Sequence, residues 1–465
     1  DRWKLEHSWG ARVRRLLTPA RLLVLSFLGL IALGTGGFMV LPGLYVGEPL
    51  SWLDALFTAT SAVCVTGLIV VDTATYFTTW GQAYILLLIQ LGGLGILTFT
   101  TLIILALGRR LSLHHEAVTA NTAEVAPDID FKQLVRNIVR FTFLFEAAGA
   151  LLLFVLWLPR FTFGDAAWHA VFQAVSAFCN AGFSTFSDSL TGFQGAPVSL
   201  TVVMTLIVLG GLGFLTLEEL HLRWREREGN PPLLSLHSRL VLTVTGVLLF
   251  GGWIVFTSLE WGNTMADMAG WEKLVNGLFM SVTARTAGFN TVDYAATAES
   301  TNFITILLMS IGGSPGSTAG GLKTTSVAVI GLLAFARLRG HQVTSVGHRT
   351  IPEETVQRAV GLFVVGFIVV TGGILLYAVF QLRPVPGETP GGRFLLHMFE
   401  AVSAFNTVGL SMGATGELIP ASKLLTIALM YVGRVGPLTF AAAIALGGPT
   451  LTGEFRYAYE DVIIG

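Results

Sequence analysis

The chain has 465 residues, of which 53% are hydrophobic and 12% charged, and its formal net charge is −1. A soluble protein would carry about twice that charged fraction; the apolar content excludes disorder, and a nearly neutral chain offers no basic surface for nucleic acid. What remains is a polytopic membrane protein, in which length no longer counts soluble domains. Two cysteines make no disulfide framework. The 53 glycines exceed the usual share of about 7%, and glycine lets helices in a membrane pack closely.

Crossing a hydrocarbon core of about 30 Å takes about 20 apolar residues. In chain order the runs that suffice are Leu16–Val40, Gln82–Leu107, Ile138–Leu158, Leu200–Leu220, Leu240–Leu259, an interrupted Phe303–Leu338, Val360–Phe380 and Leu424–Leu446. Arg12, Arg14, Arg15 and Arg21 sit at the start of the first run in the manner of a signal peptide. The run is too long for a signal's apolar core and no A-x-A-like site follows, so it is read as a span. Because the chain opens on Asp1 rather than Met, its native N-terminus is expected further upstream.

Alternating with the full spans are the shorter apolar stretches Trp52–Ala62, Ala166–Phe178, Trp271–Ala284 and Phe394–Phe405. Each is too short to cross, and each ends in a polar turn bearing glycine. One such stretch alone fits an amphipathic helix lying on the surface; four in matching places point to re-entrant hairpins. An even number of spans puts both termini on one side. Arg160, Lys273, Arg383, Arg393 and Lys423 fall opposite, Arg285, Lys323 and Arg434 fall at membrane depth, and the rest of the 28 Lys and Arg share the side of the termini. The positive-inside rule therefore predicts cytoplasmic termini, with the re-entrant segments entering from outside.

The short stretches are copies of one another: FTATSAVCVTGL, FQAVSAFCNAGF, FMSVTARTAGF and FEAVSAFNTVGL. Each ends in a tetrapeptide closed by glycine: Cys64-Val65-Thr66-Gly67, Cys179-Asn180-Ala181-Gly182, Arg285-Thr286-Ala287-Gly288 and Asn406-Thr407-Val408-Gly409. The spans that follow also match, as QLGGLGILTF, VLGGLGFLTL, MSIGGSPGST and YVGRVGPLTF. The repeated unit is span, re-entrant helix, span, and two spans per unit give all four units one orientation. Parallel repeats imply an axis along the membrane normal. The predicted fold is an all-α polytopic membrane protein of four parallel span–pore-helix–span repeats, with eight transmembrane helices and four re-entrant loops around a pseudo-fourfold pore. Repeats are expected over 16–110, 111–222, 223–340 and 341–447, between a cytoplasmic segment 1–15 and a C-terminal tail 448–465.

Four re-entrant helices aim the negative ends of their dipoles at one axis. Their tetrapeptides then supply rings of carbonyl oxygens that replace the hydration shell of a monovalent cation, and the closing glycine permits backbone angles a side chain would forbid. Asp72, Asp188 and Asp293 follow three of these glycines and would concentrate cations at an outer mouth.

These features, with VTGL at Val65–Leu68, RTAGFN at Arg285–Asn290 and GRVGPLTF at Gly433–Phe440, make the chain resemble the bacterial KtrB/TrkH superfamily of potassium transporters from about Pro19 to Gly447. With no extra N-terminal pair of spans, it is more similar to the KtrB branch. The resemblance implies potassium uptake across the bacterial cytoplasmic membrane through the backbone carbonyls of the sixteen tetrapeptide residues, with sodium as a candidate activator. It also implies a homodimer carrying a cytoplasmic ring of nucleotide-binding regulatory subunits of the RCK type. No GxGxxG follows a strand here, so no nucleotide is expected on this chain. Cys64 and Cys179 depart from the family pattern, where threonine or asparagine is expected.

The sixth span is interrupted by Gly312, Gly313, Ser314, Pro315, Gly316, Ser317, Thr318, Ala319, Gly320 and Gly321, ahead of Lys323. No helix survives that density of glycine with a proline, so the segment is read as an intramembrane gating loop, with a packing kink as the alternative. Arg434 stands where units one and two carry Gly93 and Gly211. A charge there is costly and should face a cavity with a partner, and the loop carbonyls are the expected acceptors. Arg285 is expected to point away from the axis and brace the tetrapeptide from behind, with Glu400 as a candidate partner. Cys64 and Cys179 are expected as reduced thiols, since a disulfide would collapse the pore. Lys323 either caps the loop or snorkels to the cytoplasm. His114, His115, His221 and His237 lack metal spacing and are expected on solvated loops. An alternating-access carrier is disfavoured by the parallel repeats, and a membrane-embedded enzyme by the lack of any paired acids, HExxH or nucleophile at depth.

Overall fold

The computed structural model describes residues 19–95, 131–225, 234–346, 349–381 and 390–437. The segment 1–15, the end of the second span, His114, His115, the last turns of the final span and the tail 448–465 lie outside the described residues.

Nearly all regular structure is helical. The chain runs through α1 (Pro19–Val40), α2 (Trp52–Val63), the one-turn α3 (Thr73–Tyr76), α4 (79–95), α5 (Phe131–Trp157), α6 (Phe163–Cys179), α7 (Pro197–Leu212), α8 (Phe214–Arg225), α9 (Leu236–Glu260), α10 (Gly270–Thr283), α11 (Glu299–Met309) and α12 (Thr324–Leu338). A two-residue hairpin of β1 (Ser345–Val346) and β2 (Arg349–Thr350) precedes α13 (Glu353–Phe380), α14 (Pro390–Phe405) and α15 (Pro420–Val435). Among the described residues, four helices are long and apolar enough to cross a membrane unaided, within α1, α5, α9 and α13. Their outward faces are apolar, with Leu33, Leu151, Val247 and Ile368 exposed, as suits helices whose outer solvent is lipid.

The four short stretches become α2, α6, α10 and α14. Ser51 caps α2 by accepting from the Asp54 N–H, and Thr162 caps α6 by accepting from that of Asp165, which satisfies donors that a helix end leaves free. At α10 the Glu272 carboxylate reaches back to the Ala269 N–H at 2.9 Å. A cyclic packing follows: α7 lies on α10, α11 on α14 and α15 on α2, while α4 meets α6 through Trp168 Nε1–H donating to Gln82 Oε1 at 2.7 Å. Each second helix of a unit thus covers the short helix of the next unit, and α15 closes the circuit.

One expected element is corrected. The run Leu200–Leu220 does not form one straight span, because α7 and α8 meet at 105° across Gly213. The cause is tertiary. The 312–323 loop takes the backbone partners that a continuing helix would have used: Ser314 N–H donates to Gly211 O and Thr318 N–H to Gly210 O, while Phe214 N–H donates to Gly316 O. Gly213 adopts φ 86°, where glycine alone is unstrained, and a Cβ there would stand 2.6 Å from the Pro315 carbonyl oxygen. In the fourth unit α15 ends at Val435, and Gly436 has φ 92°.

Candidate functional site

The four tetrapeptides repeat one backbone conformation. In every unit the second and fourth residues have positive φ, namely Val65 and Gly67, Asn180 and Gly182, Thr286 and Gly288, Thr407 and Gly409. Positive φ is costly for β-branched Val65, Thr286 and Thr407, so surrounding contacts must hold them there. Serines on the short helices supply some of these. Ser61 Oγ accepts from the Gly67 N–H and Ser403 Oγ from the Gly409 N–H, both at 3.1 Å. Ser176 and Thr283 instead donate, to the Phe183 and Phe289 carbonyls.

The closing glycines meet around one centre. A Cβ on Gly67 would come within 2.5 Å of the Ala181 carbonyl oxygen, one on Gly182 within 3.1 Å of that of Ala287, and one on Gly288 within 2.5 Å of that of Val408. A Cβ on Gly409 would collide with the Thr66 carbonyl oxygen, which completes the circuit. The third-position carbonyl of each unit therefore abuts the glycine of the unit before it. On one side this ring opens into a cavity of about 180 Å³ lined by all four glycines together with Asp72 and Asp188. Asp72 accepts from Ser187 Oγ–H at 2.6 Å, and Asp188 accepts from Thr191 Oγ–H at 2.5 Å. Asp293 does not line the cavity and instead accepts from the Ala295 N–H.

Behind the ring, a second glycine row sets how closely the helices approach. Gly92, Gly210 and Gly433 lie against the carbonyl oxygens of Val63, Phe178 and Phe405, where any Cβ would overlap the backbone. Those carbonyls belong to the residues just before the tetrapeptides.

The loop 312–323 lies on this inner side. Thr318 Oγ–H reaches the carbonyls of Phe178 and Gly210, Leu322 N–H donates to Asn406 Oδ1, and Gly320 presses on the Thr407 side chain. Ser314 and Thr324 hydroxyls pair at 3.0 Å, and Gly312 N–H donates to Leu322 O, so the two ends of the loop are tied together. Arg434 is 3% exposed and donates to the Thr318 carbonyl and, at 3.2 Å, to that of Gly92. Lys323 Nζ donates to Ala319 O at 2.5 Å and to Gly320 O at 3.4 Å. It caps the loop from within and does not snorkel.

Other expectations fare unevenly. Cys64 and Cys179 are buried and free. Arg285 is buried with its Nε unpartnered, and Glu400 is not its partner. The Glu400 carboxylate accepts from Ser411 Oγ–H, the Met412 N–H and Thr415 Oγ–H, because the short loop after the fourth tetrapeptide folds back over it. Neither His221 nor His237 lies on a loop: His221 is exposed on α8, and His237 is half-buried at the start of α9 with Nε2 enclosed, so only the former is solvated. Among the described residues, no cluster of His, Cys, Asp and Glu has metal-binding geometry. Glu146 carries no motif in the sequence, yet the fold brings it to the tetrapeptide of the second unit. Buried on α5, it accepts from Gln90 Nε2–H at 3.1 Å and lies 3.8 Å from Cys179 Sγ. A lone acid inside the apolar run Ile138–Leu158 was the available signal.

A sequence model of the TrkH family, described as "Cation transport protein", matches residues 39–449. The chain is 36% identical to the potassium/sodium uptake protein NtpJ of Enterococcus hirae, over 98% of this chain and 99% of that one. It is 37% identical to the Ktr system potassium uptake protein B of Vibrio alginolyticus, over 96% and 94%, and 36% identical to that of Bacillus subtilis, over 96% and 97%. The crystal structure of the potassium transporter TrkH from Vibrio parahaemolyticus superposes with a TM-score of 0.72 at 19% identity, covering 91% of this chain and 83% of that one.

Proposed function

This chain belongs to the TrkH family of cation transport proteins and is a transporter rather than an enzyme, and from that premise we propose that it carries potassium through the ring formed by its four tetrapeptides. The observation that carries this reading is the closed circuit of glycines and third-position carbonyls. Alternating signs of φ along a short segment turn successive peptide planes the same way, so that carbonyl oxygens of one segment can face a common axis. Four such segments replace the hydration shell of a monovalent cation with backbone oxygens. No side chain fits at the glycine level, so the passage is lined by backbone. The names of the Ktr and NtpJ relatives support potassium as the ion.

In this reading the chain forms four parallel repeats over 16–110, 111–222, 223–340 and 341–447. Asp72 and Asp188 mark the outer mouth, and both termini lie in the cytoplasm of a bacterial cell. The loop 312–323 is the gate, held under the ring by Arg434 and capped by Lys323. Sodium as an activator is supported by the potassium/sodium wording of the NtpJ name. A homodimer bearing a regulatory nucleotide-binding ring is supported by the multi-component "Ktr system" wording.

The test is cation flux into proteoliposomes that hold this chain, comparing potassium, rubidium, sodium and lithium. Flux that favours potassium and rubidium and is lost in Gly288→Ser is the expected result. Robust flux that is unselective and insensitive to that substitution overturns the ring as the selective element.

A further inference from the structure

Beneath the gate region the helices are poorly packed on one side. Of the fifteen residues in α12, the helix that follows the 312–323 loop, only Thr324, Val329 and Ala336 are buried. Two grooves account for this. One, of about 380 Å³, runs between α9, α12 and the β1–β2 hairpin and is walled by Leu236, Leu240, Val244 and Leu332. The other, of about 420 Å³, lies across the same turn of α9 and shares Leu236 and Leu240 with the first.

The lining of the first groove is apolar, yet its rim carries the exposed Arg239 and Arg349. Neither guanidinium makes a hydrogen bond or ion pair with another described residue, in contrast to that of Arg358 at the second groove, which pairs with Glu354. Two guanidinium groups with no partner among the described residues, above an apolar trough, have the chemistry of a phosphate seat with hydrocarbon below it. Above the grooves, the exposed face of α9 continues through Val247, Phe250 and Ile254, a surface that suits acyl chains and not water.

We propose that an anionic phospholipid occupies this groove, its phosphate on Arg239 and Arg349 and its acyl chain against Leu240 and Leu332. The inference rests on the orientation proposed above, which puts this end of α9 at the cytoplasmic membrane surface. There the leaflet is negatively charged, and each arginine adds to the attraction. The bound lipid supplies the packing that α12 lacks, and α12 is the anchor of the loop through the Thr324–Ser314 hydroxyl pair. Lipid charge would thereby bias the loop without touching the ion path.

The test uses the full chain, purified and delipidated in detergent, and titrated with phosphatidylglycerol or phosphatidylcholine while native mass spectrometry counts bound lipids. Phosphatidylglycerol is expected to bind about tenfold or more tightly than phosphatidylcholine, and that preference to vanish in Arg239→Gln/Arg349→Gln. Leu332→Trp, which fills the trough and leaves both charges, is expected to weaken phosphatidylglycerol equally. Melting temperatures near wild type establish that both variants fold. Equal binding of the two lipids overturns the proposal, as does a preference that survives both variants. Glycerol phosphate competing as well as the intact lipid also overturns it, since that would assign a soluble anion. Potassium flux of the wild type in phosphatidylcholine vesicles is read separately, so a failure here leaves the transport reading standing.

Discussion

Arg434 binds the carbonyl of Thr318 with one arm of its guanidinium and the carbonyl of Gly92, at 3.2 Å, with the other. The first lies in the glycine-rich loop of the third unit and the second on the inner helix of the first. Among the described residues no carboxylate pairs with it. The charge is instead dissolved in backbone oxygens, which is how a buried guanidinium is kept in place when a fork of fixed geometry matches two acceptors.

Arg434→Ala removes both donors from these carbonyls, and a buried carbonyl left without a partner costs about 1–3 kcal/mol. If the loop is the gate, the closed arrangement loses that support and cation flux rises by about tenfold, the equivalent of 1.4 kcal/mol. Rubidium uptake into vesicles of matched protein content reads this directly. Arg434→Lys, which keeps the charge but not the fork, should fall between. Unchanged flux in a folded Arg434→Ala protein would show that the contact serves packing alone.

The glycine row makes a sharper contrast. Gly433 lies against the Phe405 carbonyl, whereas a Cβ on Gly36, within α1, would meet nothing within 4 Å. Gly433→Ala forces the backbone apart and should cost about 3 kcal/mol or more, seen as a lowered melting temperature in detergent. Gly36→Ala should be neutral or stabilising by up to about 1 kcal/mol, since alanine is the better helix former. Equal melting of the two variants would mean that the close approach is not needed.

Relative to the cavity above the ring, the three acidic residues that follow the tetrapeptides separate into two classes. Asp188 lines the mouth and Asp293 does not. Asp188→Asn should lower uptake at low ionic strength and lose its effect near 1 M salt, where the screening length falls to about 3 Å. Asp293→Asn should match wild type under both conditions. A salt-independent loss in Asp188→Asn would point to its hydrogen bond with Thr191 and away from ion attraction.

Sequence alone located the short helices to within a few residues. Trp52–Ala62 became Trp52–Val63, and Trp271–Ala284 became Gly270–Thr283. Those boundaries are local, fixed by capping residues at one end and the repeated glycine turn at the other. The bend at Gly213 was not legible, because the apolar pattern runs through it without interruption. Its cause is a loop about a hundred residues further along that intercepts the carbonyls of Gly210 and Gly211. The Arg434 contact with that loop was legible, since an unpaired charge at depth must find acceptors and the glycine-rich segment offered them. The pairing of Arg285 with Glu400 failed for the converse reason. Sequence places the two charges at similar depth, but Ser411 and Thr415 satisfy the carboxylate first.

Glu400 ties the segment after the fourth tetrapeptide to α14. It follows Phe399 as Thr58 follows Phe57 and Gln173 follows Phe172, yet these three behave differently. The Thr58 hydroxyl and both ends of the Gln173 amide are buried without partners, while the Glu400 carboxylate gathers Ser411 Oγ–H at 2.5 Å, Thr415 Oγ–H at 2.7 Å and the Met412 N–H at 3.2 Å. It holds down the segment immediately after Gly409. Glu400→Gln keeps the size and exchanges one acceptor oxygen for a donor, so contacts worth about 1.5–3 kcal/mol each to a charged group are lost or reversed. The segment loosens beside the ring, and the expected outcome is a lowered melting temperature together with a smaller preference for potassium over sodium in vesicle uptake. Gln173→Ala, which removes an amide with no partner among the described residues, should leave stability within about 1 kcal/mol of wild type or raise it, read as a melting temperature near or above that of wild type. A Glu400→Gln protein with wild-type selectivity would show that the fourth tetrapeptide is held by Ser403 and its own helix, without this carboxylate.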